Sequence, residues 1–202
     1  MANPDCRLLT LLGAGGMGKT RLAIEAATRA AGAFSDGVCF VALAPAGTAE
    51  ILAVTLAQSL GLQSASTDLQ GDIAACLRPR QLLLVLDNFE QLVMAASTVA
   101  YLLQHALRVK VLVTSRERLC LREEWLLPVS GLALAEGLVG EAGQLFLRCA
   151  QQVQPDFTGS GQEAAIAAIC RQVEGMPLAL ELAASWVRVM PCAEIARQIG
   201  GN

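Results

Sequence analysis

Short runs of consecutive apolar residues alternate with longer amphipathic stretches through the first two thirds of the chain. Residues 8–12 (LLTLL), 38–43 (VCFVAL), 82–86 (LLLVL) and 110–114 (KVLVT) are near-continuous apolar runs, and 125–129 is a weaker fifth. Runs of that length without strict alternation predict strands buried on both faces. Between them, residues 19–31, 48–60, 68–77 and 91–107 carry helical spacing, with Asp68 placed as an N-cap and Gly61 as a stop. Buried strands separated by helices predict an α/β fold: a five-stranded, mainly parallel sheet with helices on both faces and right-handed crossovers.

The pattern changes after Pro128. From Glu141 onward the spacing is helical only, in residues 141–152, 162–173, 177–189 and 192–199, with Pro and Gly clusters between. The expected organisation is a sheet domain over residues 1–135 and a small helical subdomain over 136–202. Leu178, Leu180, Leu182 and Ala183 are expected to form one buried face of the third of these helices. Gly200-Gly201-Asn202 reads as a cut through a longer protein.

Composition narrows the function. The 202 residues are 54% hydrophobic and 16% charged, with 15 basic against 18 acidic side chains. Such a chain builds a core, and its net charge of −3 gives no basic surface for nucleic acid in this segment. Mean hydropathy is high, at +0.49, yet every apolar run is broken well short of the ~18 residues of a spanning helix, so a membrane is not an expected partner. The N-terminus lacks a signal-peptide pattern. Seven cysteines are scattered singly beside one histidine, which supports reduced, mostly buried thiols and a cytoplasmic protein over a zinc site.

Gly13-Ala14-Gly15-Gly16-Met17-Gly18-Lys19-Thr20 fits G-x-x-x-x-G-K-[ST], with an apolar strand before it and a helix after it. Glycines let successive N–H groups point inward as an anion nest, and the helix N-terminus adds partial positive charge. Lys19 supplies a point charge for β- and γ-phosphates, and the Thr20 hydroxyl suits Mg²⁺. Gly13, Gly15, Gly16, Met17, Gly18, Lys19, Thr20 and Arg21 therefore form the expected cradle. Asp87 ends the third strand, at the edge where such sheets bind ligands, and is the second expected Mg²⁺ ligand. Glu90 is placed either as a base for water or as a first-turn glutamate of the next helix; Asn88 is an alternative water-orienting group. Arg116 follows the fourth strand, where it would meet a γ-phosphate; the other reading is a surface arginine paired with Glu117 or Glu123.

GAGGMGKTRLA, LLLVLDNFEQL, VTSRERL and EGMPLALELAASWVRV, in this order, resemble the STAND class of P-loop ATPases. The nearest likeness is to NB-ARC-like modules of large bacterial transcriptional regulators. The resemblance implies an ASCE-type P-loop fold, with one strand inserted between the phosphate-loop strand and the Asp87 strand. It implies ATP or ADP with Mg²⁺, Asp87 and Thr20 as metal ligands, and Arg116 as a sensor of the third phosphate. It also places Pro177 against the adenine; the residues alone read Pro177 as a helix N1 proline. Asn88 stands where the class often has a second acid, which implies slow hydrolysis. The class also carries an upstream adenine-side segment, a winged-helix domain and sensor repeats, so the chain reads as the core of a longer regulator. The expected partners are nucleotide, the regulator's other domains and a second copy in the active state. Two other function classes fit a phosphate loop: a constitutive P-loop ATPase or kinase, and an interaction domain that binds nucleotide without hydrolysing it.

Overall fold

The apolar runs become strands: those at 8–12, 83–87 and 110–115 are largely buried as expected, whereas those at 38–42 and 124–128 lie at the ends of the sheet order and stay mostly half-buried or exposed. A computed structural model describes residues 3–43, 49–63, 66–134 and 140–201. The strands are β1 (Leu8–Leu12), β2 (Val38–Ala42), β3 (Leu83–Asp87), β4 (Lys110–Ser115) and β5 (Glu124–Pro128). Every pairing is parallel, in the order β2-β3-β4-β1-β5. β4 thus lies between the phosphate-loop strand and the Asp87 strand, as the ASCE resemblance implies. The helices of this part are α1 (Lys19–Ala30), α2 (Ala49–Ser59), α3 (Leu69–Leu77) and α4 (Ala96–His105).

Alternation along the strands builds two hydrophobic layers. Leu83 and Val85 face one side with Leu11 and Leu112, where Ala23 and Ala27 of α1 cover them. Leu84, Leu86, Val111 and Val113 face the other, under Leu52 and Leu56 of α2, Ile73 and Leu77 of α3, and Val99 and Leu102 of α4. Each leucine fully buried this way contributes about 1.5–3 kcal/mol. Small alanines on α1 let that helix approach the sheet closely.

Local chemistry sets the boundaries. Asp68 caps α3, its Oδ1 accepting from the Gly71 N–H at 2.9 Å. The helix expected over residues 91–107 begins only at Ala96; two 3-10 turns, Phe89–Gln91 and Val93–Ala95, precede it. Asn88, just before the first turn, is left-handed at φ 64, a conformation asparagine tolerates better than most residues. Leu92, at φ −118 and ψ 18, then separates the two turns. Thr48, the expected start of the second helix, lies outside the described residues, as do 135–139, which contain the expected domain boundary.

The chain divides into two compact units: residues 1–14 with 19–129, and residues 15–18 with 130–202. The second contains α5 (Glu141–Val153), α6 (Glu163–Gln172), α7 (Pro177–Ser185) and α8 (Cys192–Gly200). Its core gathers Phe146, Ile166, Ile169, Leu180, Ala184, Cys192 and Ile195. On α7 the buried residues are Leu180, Ala183 and Ala184, whereas Leu178 and Leu182 are exposed. The expected face was drawn too wide, because residues 178 and 182 sit one turn apart on a different side of the helix from 180, 183 and 184.

Candidate functional site

Register brings the chemistry to one edge. Leu12 pairs with Ser115 and Leu86 with Val113, so Gly13, Asp87 and Arg116 all emerge at the carboxyl ends of neighbouring strands. The Gly13 N–H donates to the Ser115 carbonyl at 3.2 Å, which holds the start of the glycine loop beside β4. A Cβ on Gly13 would come within 2.6 Å of the Val129 carbonyl oxygen, so this position admits no side chain.

Lys19 opens α1 and is buried, at 8% exposure. Its Nζ donates to the carbonyls of Gly13 at 2.8 Å and Ala14 at 2.9 Å. Burial pushes the ammonium below the ordinary lysine value; Glu90 pulls it back up most strongly, Arg116 lowers it further, and Asp87 raises it. A buried cation whose hydrogen bonds go to neutral carbonyls is a strong receptor for anionic oxygens.

Beside it, Asp87 is buried at the end of β3. The Thr20 hydroxyl donates to Asp87 Oδ1 at 2.8 Å, and the Thr114 hydroxyl donates to the same oxygen at 2.5 Å. Thr114, itself fully buried, also accepts from the Asn88 N–H at 3.0 Å. This clamp on the aspartate is the feature that sequence reading missed. A polar β-branched residue level with Asp87 on the adjacent strand was the available signal. The Thr20 and Asp87 oxygens are a hard donor set that fits Mg²⁺, which binds through one or two protein oxygens plus phosphate. Among the described residues there is no cluster of three or more His, Cys, Asp or Glu side chains that could hold a metal by itself.

Glu90 lies in the 3-10 turn after β3, six residues ahead of the start of α4, and so is not a first-turn residue of that helix. Its Oε1 pairs with Arg116 Nε at 3.1 Å. Arg116 is thus tied to Glu90, where the surface reading had offered Glu117 or Glu123. Glu90 Oε2 is buried without a hydrogen-bond partner among the described residues. Asn88 is exposed, and its left-handed backbone gives it a conformational role at the turn. Arg21 is exposed in the first turn of α1.

The rest of the loop belongs to the second unit. Gly16 and Gly18 are left-handed, at φ 80 and 81, as a nest of inward N–H groups requires. The Leu178 N–H donates to the Gly16 carbonyl at 3.2 Å. A Cβ on Gly16 would sit 3.0 Å from Leu178 Cβ and 3.4 Å from Met176 Sδ, and one on Gly18 would sit 3.9 Å from Pro177 Cγ. Pro177 is the first residue of α7. Met17 is half-buried in the same stretch.

The NB-ARC domain family matches residues 1–123. A Mycobacterium tuberculosis protein whose name proposes an HTH-type transcriptional regulator is 40% identical over 193 residues, covering 94% of this chain and 21% of its own length. An uncharacterized Mycobacterium bovis protein is 32% identical over 194 residues, covering 95% of this chain and 48% of that one. The chain therefore spans about a fifth to a half of these relatives. Among solved structures, a STAND protein with a tetratricopeptide repeat sensor from Pyrococcus horikoshii is similar at TM-score 0.54 and 18% identity, covering 88% of this chain and 27% of that one. Cdc6p from Pyrobaculum aerophilum is similar at TM-score 0.61 and 17% identity, over 96% and 56%. At those identities the likeness is one of fold.

Proposed function

The chain belongs to the NB-ARC family of P-loop modules, and on that premise we propose that it is the ATP/ADP-binding switch of a larger transcriptional regulator, with slow Mg²⁺-dependent ATP hydrolysis. The observation that carries this reading is the buried Lys19 ammonium beside the Thr20–Asp87–Thr114 clamp, at the carboxyl edge of a parallel sheet. Lys19 exchanges its two carbonyl partners for phosphate oxygens. The amides of Gly15, Gly16, Met17 and Gly18, with Thr20 and Arg21 in the first helical turn, cradle the anion. Thr20 and Asp87 hold Mg²⁺, which when bound neutralises phosphate charge. Arg116 meets the third phosphate, and Glu90 orients the attacking water. Pro177 offers a rigid apolar ring without an N–H, suited to a flat base.

Slow turnover follows from the residue after Asp87: Asn88 stands where a second acid would activate water. Contacts at the third phosphate then bias one of two arrangements of the protein. Recognition of DNA is assigned to other parts of the regulator, which with a second copy are the proposed partners. A cytoplasmic location accords with the purpose; no helix among the described residues is long and apolar enough to cross a membrane.

The test is titration of the chain and of Lys19→Ala with ADP and ATP. The wild type should bind both and gain about 2.7 kcal/mol of stability at a hundredfold excess over Kd. Lys19→Ala should lose most of that affinity. Hydrolysis should run well below the ~1–100 s⁻¹ of kinases. Melting unchanged by saturating nucleotide and Mg²⁺ would overturn the reading.

A further inference from the structure

The Arg116–Glu90 pair joins two groups with different freedom. Arg116 is 63% exposed in its side chain and Glu90 only 16%, so the arginine is the partner able to leave and the glutamate is the anchored one. The contact uses the guanidinium Nε, while the second carboxylate oxygen is buried with nothing to accept from among the described residues. A carboxylate in that state holds a nearby cation firmly enough to orient it. The pair is nonetheless exposed on one side, and the charge-assisted bonds an arginine makes to phosphate outcompete a partly solvated ion pair. A triphosphate bound here would therefore set a second anion against the resident carboxylate for one guanidinium.

We propose that the Glu90–Arg116 ion pair is a latch opened by the third phosphate: Arg116 leaves the carboxylate for the phosphate, and Glu90 is freed to accept a hydrogen bond from water only in the triphosphate state. This rests on the nucleotide-binding reading above and deepens it. Holding the latch shut lowers affinity for ATP but not for ADP, which never reaches Arg116. It also ties the sensing of the third phosphate to the release of the water-binding group, so neither occurs without the other.

The experiment measures Kd for ADP and for the non-hydrolysable β,γ-imido analogue of ATP, with Mg²⁺. The wild type, Glu90→Gln, Arg116→Ala and the double variant are compared. Glu90→Gln should tighten the analogue by about two- to fivefold, the range set by a partly exposed pair, and leave ADP unchanged. In the Arg116→Ala background the same substitution should gain nothing. Equal tightening of both nucleotides, or a gain that persists without Arg116, would mean simple removal of negative charge and would overturn the latch. Glu90→Asp keeps the charge but withdraws the carboxylate by one methylene. It should reproduce the gain, which a charge effect would not, and it serves where Glu90→Gln fails to fold. A wild type that binds neither nucleotide removes the nucleotide reading and the latch with it. Binding of both with an unchanged preference in the Glu90 variants removes the latch alone.

Discussion

Replacing Thr114 with valine keeps the side-chain shape at a fully buried position and removes one hydroxyl. Two hydrogen bonds disappear: the 2.5 Å bond to Asp87 Oδ1 and the 3.0 Å bond from the Asn88 N–H. A bond to a charged group contributes about 1.5–3 kcal/mol. The Asn88 amide belongs to an exposed residue and can turn to water, so its loss adds only about 0.5–1 kcal/mol. The new buried methyl returns about 0.8 kcal/mol. The expected loss is thus about 1–3 kcal/mol of unfolding free energy, read from urea denaturation without nucleotide. Thr114→Ser retains the hydroxyl and should recover most of it. A second readout is the Mg²⁺ dependence of ADP binding, which should weaken in the valine variant and return with serine, because the clamp fixes the aspartate that meets the metal. A valine variant within about 0.3 kcal/mol of wild type, with normal Mg²⁺ dependence, would refute the reasoning.

Two further outcomes follow from the loop. Gly13→Ala should cost about 1–3 kcal/mol in thermal or urea unfolding, since its Cβ would meet a backbone oxygen that has no free end to swing away. Burial keeps the Lys19 ammonium below its ordinary value of 10.5 in the free protein, and phosphate charge raises it on binding. Nucleotide binding in alkaline buffer should therefore take up protons, which calorimetry in buffers of different ionisation enthalpy detects, and Lys19→Ala should abolish the uptake. The sign also fixes stability without ligand: the folded state binds fewer protons at Lys19 than the unfolded chain, so this group's contribution rises as pH climbs from its lowered value toward 10.5.

The sheet was legible because its information is local. The near-continuous apolar run LLLVL became a fully buried interior strand, and Asp68 caps α3 through a side chain three residues from its donor. The place of β4 between β1 and β3 came from the family likeness, since periodicity carries no information about neighbours. The helix expected from residue 91 begins only at Ala96, because the backbone leaves helical geometry at Leu92 in a stretch whose apolar spacing still reads as helical. The face of α7 was misjudged for want of any signal saying which leucines have a partner. At the candidate site, Gly-Lys-Thr and Asp87 announce themselves by spacing. Thr114 and the attachment of Arg116 to Glu90 do not, because each joins residues 26 or 27 positions apart through strands whose adjacency is a property of the fold.

The position of β1 has a consequence for biosynthesis. Among the described residues its strand neighbours are β4 and β5, both made roughly a hundred residues later, at separations that slow folding. At ribosomal speeds of about 5–20 residues per second, the first strand waits on the order of 5–20 s before either partner exists. During that interval LLTLL is a naked apolar template on the nascent chain, and β2 with β3 is the only strand pair able to close. The glycine loop that β1 launches cannot acquire its shape before β4 slides into the gap. Competence to hold a ligand should accordingly arrive late and in one step, and early-acting chaperones should favour the first dozen residues of this chain.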